Sequence, residues 1–129
     1  CRFTYDIKCI KEVVHELHGP GVCGELSGQQ NDLKRWQDGE LQVLAVQIQA
    51  GGVGVDFTRC RYQIYYSLGF SLGDYEQSLK RVHRPGQTRE VIYYHLIARD
   101  TVDEKVYRAL RDRKKVVDAV IDSIIEEGR

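Results

Sequence analysis

Apolar residues along this chain recur with changing period, and each period predicts an element. Ile7, Ile10, Val13, Val14 and Leu17 return every three to four positions, which is the spacing of one helix face, and His18-Gly19-Pro20-Gly21 stops that helix. A short apolar stretch from Val22 to Leu26 reads as a strand ending at Ser27-Gly28. Asn31 to Gln37 carries Leu33 and Trp36 on one side, which predicts a second helix closed by Asp38-Gly39. Leu41 to Ile48 runs apolar in the manner of a buried strand, and a glycine-rich turn follows at Ala50-Gly51-Gly52-Val53-Gly54. Arg61 to Ser67 is a third β-rich run, with Tyr62, Ile64, Tyr65 and Tyr66. Asp74 to Val82 reads as a helix cut off by Pro85-Gly86, and Val91 to Ile97 as a last strand. Thr101-Val102-Asp103-Glu104 has the form of a capping box, and the helix it opens runs from 101 to 127 with Gly128 as its stop.

Strands and helices therefore alternate with short connections. That order predicts an α/β fold built from βαβ units, with a parallel sheet carrying helices on both faces. A length of 129 residues suits one domain with one core, so residues 1–129 are expected to form a single unit with a long last helix. The chain has no methionine and opens on Cys1-Arg2-Phe3 inside what reads as structure. We therefore expect a domain cut from a longer polypeptide. No apolar run approaches the ~20 residues that span a bilayer, and no basic-then-apolar leader is visible. The expectation is an intracellular protein (cytoplasmic, nucleoid or nuclear) without a membrane partner. The four cysteines form no C-x-x-C pair and have no histidines at zinc spacing, so no metal site is expected and reduced thiols are.

Charge changes this picture locally. Formal net charge is zero, but Lys80, Arg81, His83, Arg84 and Arg89 crowd together, as do Arg108, Arg111, Arg113, Lys114 and Lys115. Such clusters are either solvated faces or phosphate-binding surfaces. Neither a G-x-G-x-x-G fingerprint nor a G-x-x-x-x-G-K-[ST] loop occurs, so this chain does not cradle a nucleotide by those routes. The segment Gln77-Ser78-Leu79-Lys80-Arg81-Val82-His83-Arg84-Pro85-Gly86-Gln87 is more specific. Helical spacing predicts that Gln77, Lys80/Arg81 and Arg84 project from one side. Guanidinium forks bind phosphate oxygens through directed, charge-assisted hydrogen bonds.

The string from Gln77 to Gln87 resembles motif VI of Swi/Snf-type members of helicase superfamily two. Ala50 to Phe57 resembles motif V of the same group, at matching spacing, and Tyr93 to Glu104 resembles the strand and threonine-capped helix that follow. The likeness covers roughly residues 26–110. It implies a RecA-like C-terminal motor domain of an ATP-dependent DNA helicase or translocase. Such a domain closes over ATP and Mg2+ held mainly by an upstream RecA-like domain of the same chain. It implies further that Arg81 and Arg84 are arginine fingers directed at the triphosphate, and that Gln77 couples the γ-phosphate to the other domain. Gly52 and Gly54 form the motif V turn facing the cleft. Asp56 stands at that motif's Asn/Asp position, as a nucleotide contact or as a turn-stabilising residue. Relatives place serine or threonine just before motif V, where Gln47-Ile48-Gln49 stands here, so the Gln47 or Gln49 amide takes the nucleic-acid contact. With Ser27 and Gly28 these make the candidate nucleic-acid-binding set, double-stranded DNA being the partner implied. The fragment alone is expected to be inactive as an ATPase. Two other classes compete with this: an inert nucleic-acid-binding module with a motor-like fold, and a protein-interaction module working through its long last helix. Trp36 is expected to anchor its helix, and the tyrosines to pack the sheet.

Overall fold

The computed structural model describes residues 1–50 and 55–128. The chain runs α1 (Thr4–His18), β1 (Cys23–Leu26), α2 (Leu33–Gln37), β2 (Val43–Val46), β3 (Tyr62–Tyr65), α3 (Leu72–Val82), β4 (Ile92–His95) and α4 (Val102–Glu127). All eight elements fall where the hydrophobic pattern put them. The fold is α/β with parallel strands. β1 pairs with β2, Cys23 opposite Val43 and Leu26 opposite Val46, and β3 pairs with β4, Tyr62 opposite Ile92 and Tyr65 opposite His95. Each pair is joined through a helix, because parallel neighbours need a crossover.

Among the described residues the strands form two pairs rather than one ladder. The chain start lies along the outer edge of β2. Cys1 donates to the Val46 carbonyl at 2.9 Å, and its own carbonyl accepts from Ile48 at 2.8 Å. The Arg2 amide then donates to Ser67 Oγ at 2.7 Å, just beyond β3. One core joins the halves: Leu26, Trp36, Leu41, Phe57 and Val82 pack together.

Side-chain alternation assigns the faces of the first pair. Gly24 and Leu26 are buried towards Leu41 and Asp32, whereas Glu25 on the opposite face meets Lys11 of α1 at 3.3 Å. Trp36 is 5% exposed and meets Phe57 edge-on, with ring centroids 5.9 Å apart, while Arg59 lies over its ring and donates to the Trp36 and Leu41 carbonyls. It anchors α2. In the second pair, Tyr65 is buried and its hydroxyl meets Ser78 Oγ of α3 at 2.6 Å. His95, for which the sequence suggested no partner, stacks on Tyr65 at 4.8 Å and meets the Tyr75 hydroxyl at 3.0 Å; burial lowers its pKa. On the opposite strand faces Tyr62, Ile64 and Tyr94 are exposed, and the Tyr62 and Tyr94 rings lie against each other across the pair with centroids 6.5 Å apart.

α4 opens on the Thr101 hydroxyl, which accepts from the Asp103 amide at 3.2 Å. Only Val106 and Leu110 of this helix are buried. Beyond them Val116, Val117, Val120, Ile121, Ile124 and Ile125 are exposed. No helix among the described residues is long and apolar enough to cross a membrane, and the four cysteines are free thiols, each half-buried.

Candidate functional site

α3 begins at Ser71, whose hydroxyl accepts from the Asp74 amide at 3.2 Å. It ends at Val82, with His83 as its cap. Its inward face carries Ser78, Arg81 and Val82. Arg81 is 5% exposed, and its guanidinium donates to the Ile48 carbonyl and to Gln77 Oε1, both at 3.4 Å. Burial lowers its pKa, opposed by Asp74 and Tyr65, and an arginine stays charged under such a shift. Arg84 lies past the helix end, so its direction is set by the turn rather than by helical spacing. Its Nη1 donates to the Val55 carbonyl at 3.4 Å.

Gln77, Arg81 and Arg84 are therefore gathered against the two flanks of segment 51–54, one guanidinium at Ile48 and the other at Val55. Gly52 and Gly54 themselves lie outside the described residues. Lys80 does not join the group. It is exposed on another side of the helix, which corrects the expectation that Lys80 and Arg81 share a face. The cause is local: the buried stripe of α3 contains a hydroxyl and a guanidinium, so apolar periodicity does not mark it.

Asp56 builds a turn. Its Oδ1 accepts from the Thr58 amide and hydroxyl, both at 2.7 Å, and these bonds, with Arg84 nearby, hold its carboxyl below the usual range. Its carbonyl accepts from Gln37 Nε2 at 3.0 Å.

Sequence reasoning gave no role to Gln87, which fastens the site. Its amide nitrogen donates to the Cys60 carbonyl at 2.9 Å and the Thr58 carbonyl at 3.1 Å, and its backbone N–H to the Arg84 carbonyl at 3.0 Å. Gly86 precedes it with φ of 101°, in the region that favours glycine. The Phe57 amide donates to the Arg81 carbonyl at 2.9 Å. The 55–60 turn and the end of α3 are thus locked backbone to backbone. Only the glutamine's place in the motif string hinted at this.

The candidate nucleic-acid residues sit side by side at the carboxyl ends of β1 and β2. The Gln47 amide donates to the Leu26 carbonyl at 2.9 Å, and Gln49 is exposed. Ser27 is 8% exposed and occupied with its own turn: Oγ donates to Glu25 Oε1 at 2.6 Å and accepts from the Gln29 amide at 3.1 Å. Gly28 is exposed, and a Cβ there would meet open space. Among the described residues no group of three His, Cys, Asp or Glu side chains could hold a metal ion.

The family model described as "Helicase conserved C-terminal domain" matches residues 12–86. The chromatin-remodeling ATPase INO80 of Mycosarcoma maydis is 33% identical over 98 residues, which is 75% of this chain and 5% of that protein. An uncharacterized ATP-dependent helicase of Bacillus subtilis, YqhH, is 30% identical over 97 residues, 75% of this chain and 17% of that protein. This chain thus spans a small part of the curated relatives it matches. Among solved structures, the C-terminal part of the Fun30 ATPase domain superposes with a TM-score of 0.73 at 23% identity, covering 84% of this chain and 36% of that one. That likeness shows a shared fold.

Proposed function

This chain belongs to the helicase conserved C-terminal domain family, in its Swi/Snf-like branch with a RecA-like fold, and we propose that it is the C-terminal motor lobe of an ATP-dependent DNA translocase. Its partner lobe lies upstream in the same polypeptide and holds most of the nucleotide and Mg2+. Arg81 and Arg84 reach the triphosphate, Gln77 relays its state to the other lobe, and Gly52, Gly54 and Asp56 shape the facing turn. Gln47, Gln49, Ser27 and Gly28 lie on the side that meets duplex DNA, inside the cell. The observation that carries this reading is the gathering of Gln77, Arg81 and Arg84 against Ile48 and Val55, on either side of segment 51–54.

The chemistry follows from charge. Phosphoryl transfer proceeds through a transition state whose charge spreads over the γ-phosphate oxygens, and positioned arginines supply donors there without a proton changing hands. The 3.4 Å bond that holds Arg84 on the Val55 carbonyl is long, so exchanging it for a phosphate oxygen sacrifices little. The Asp56 carboxylate, committed to Thr58, keeps the turn in shape. Mg2+ would be held with the nucleotide by the other lobe.

The test is turnover in the polypeptide that carries both lobes. Arg84→Ala should lower DNA-stimulated kcat roughly 10²-fold or more while leaving nucleotide affinity within a few-fold. Arg81→Lys should also lower it, since a buried ammonium cannot reproduce the guanidinium fork. Wild-type turnover in both variants would remove the arginines from the mechanism.

A further inference from the structure

α4 runs on past the body it packs against. Val106 and Leu110 are buried, and among the described residues its last hydrogen bond to the body comes from Arg113, which donates to the Phe70 carbonyl. From 114 to 127 every residue is exposed, a stretch of ~21 Å at 1.5 Å per residue. At ~100° per residue, Val117, Val120, Ile121 and Ile124 fall on the side that carries Val106 and Leu110, and Val116 and Ile125 widen it. The face that docks on the domain therefore continues beyond it with all six aliphatic side chains exposed.

The charges of this stretch are segregated. Arg111, Arg113, Lys114 and Lys115 come first, and Asp118, Asp122, Glu126 and Glu127 follow. The acidic block lies towards the carboxyl end of the helix, whose last turn holds no basic residue. The macrodipole disfavours anions there, so cations brought from outside the helix would offset the arrangement.

We propose that this face pairs with the same face of a second copy of the chain, antiparallel, about a two-fold axis between Val120 and Ile121. One self-complementary patch then serves both sides. The register sets Val117 across from Ile124, and puts Lys114 and Lys115 level with Glu127 and Glu126 of the second copy. Each basic block comes within about a Debye length, ~10 Å, of an acidic one, and each acidic helix end gains the cations its own last turn lacks. A parallel pair would set acid against acid. Length agrees as well: the overlap uses the whole exposed stretch, because each tip reaches the level of Arg113, where the other body begins. Nucleic acid suits this stretch poorly, since its four carboxylates repel phosphates. Pairing of this kind needs no nucleotide and is independent of the motor reading. So short an overlap buries less than the ~800 Å² per partner of a standard interface, and the expected Kd is on the order of 10–100 µM.

Sedimentation equilibrium of the 129-residue chain, from about 5 to about 500 µM so as to span that Kd, should show monomer passing to dimer. Ile124→Glu should weaken the dimer roughly tenfold or more. The site is exposed, so the dilute variant should melt as wild type does. Lys114→Glu with Lys115→Glu should weaken the dimer several-fold. Adding Glu126→Lys and Glu127→Lys to that variant should restore it, because the blocks have then traded places. The antiparallel dimer is overturned by a monomer throughout, by an assembly larger than two, or by indifference to Ile124→Glu. It is overturned equally by tightening in the Lys114 and Lys115 reversal, which a parallel pair predicts, or by no recovery in the full exchange.

Discussion

Replacing Asp32 by alanine removes a carboxylate that ties β1 to the turn carrying Ser27 and Gly28. Its Oδ2 accepts from the Glu25 amide at 2.9 Å and from Gln30 Nε2 at 2.5 Å, and Oδ1 lies 3.5 Å from Arg35. Asp32 is 8% exposed, so the alanine variant strands the Glu25 amide in a partly buried place, at a cost of about 1–3 kcal/mol. The Arg35 pair adds little, because the arginine is exposed and screened. A loss near 2 kcal/mol should lower Tm by roughly 6–10 °C in a domain of this size. Asp32→Asn keeps an acceptor and loses the charge, so it should forfeit about 1 kcal/mol. The pH dependence has a definite sign. The Glu25 amide first, then Gln30 and Arg35, hold the Asp32 carboxyl below its ordinary value, with burial opposing. The unfolded chain thus takes up this proton first. The stabilisation is complete above the unfolded pKa of about 3.9 and is lost as pH falls through the folded one. Urea melts of wild type and Asp32→Asn at pH 7 and pH 3 should show a gap that narrows on acidification. Equal stabilities at pH 7, or a gap that widens at pH 3, would refute the reasoning.

Two further predictions concern the packing that holds the site. A Cβ at Gly24 would lie 2.4 Å from Leu41 Cδ1 and 2.9 Å from Asp32 Cβ, so Gly24→Ala should cost about 1–3 kcal/mol in urea denaturation through overpacking; an unchanged midpoint would contradict the close approach of β1 to Leu41 and Asp32. Tyr65→Phe removes the bond to Ser78 Oγ, itself committed to the Tyr75 carbonyl at 2.5 Å. It should cost about 1 kcal/mol, and in wild type burial should make this phenol among the last to ionise in an alkaline ultraviolet titration.

The element order was legible because each element keeps a clean period. Val22 to Leu26 and Leu41 to Ile48 are too apolar for loops, and Thr101 to Glu104 announces the last helix by cap chemistry alone. Side-chain direction on α3 was less legible. Ser78 and Arg81 lie in its buried stripe, and a polar residue in the core is invisible to a hydrophobic period. Helical spacing alone therefore groups Lys80 with Arg81. Arg84 shows a second reason: it stands beyond the helix end, where direction depends on Pro85, Gly86 and the hydrogen bonds of Gln87, which no spacing rule encodes. Ser27 shows a third. A hydroxyl at a strand end reads equally as a ligand contact or as the acceptor of its own turn, and only coordinates reveal that its oxygen meets Glu25 and Gln29.

The turn that carries Arg81 and Arg84 is fastened by backbone contacts. The Phe57 amide binds the Arg81 carbonyl, the Gln87 amide binds the Arg84 carbonyl, and the Gln87 side chain clamps the 58–60 carbonyls. The backbone of both arginines is thereby fixed, and Arg81 and Arg84 each donate to a backbone carbonyl at 3.4 Å. In the proposed motor, a turn fastened this way would limit the ordering that meeting a triphosphate requires. Within the proposed motor, the energy of lobe closure is then available for moving DNA instead of assembling the arginines. The fastening residue, Gln87, belongs to the same short motif string as Arg81 and Arg84, so one segment encodes both the arginines and their support.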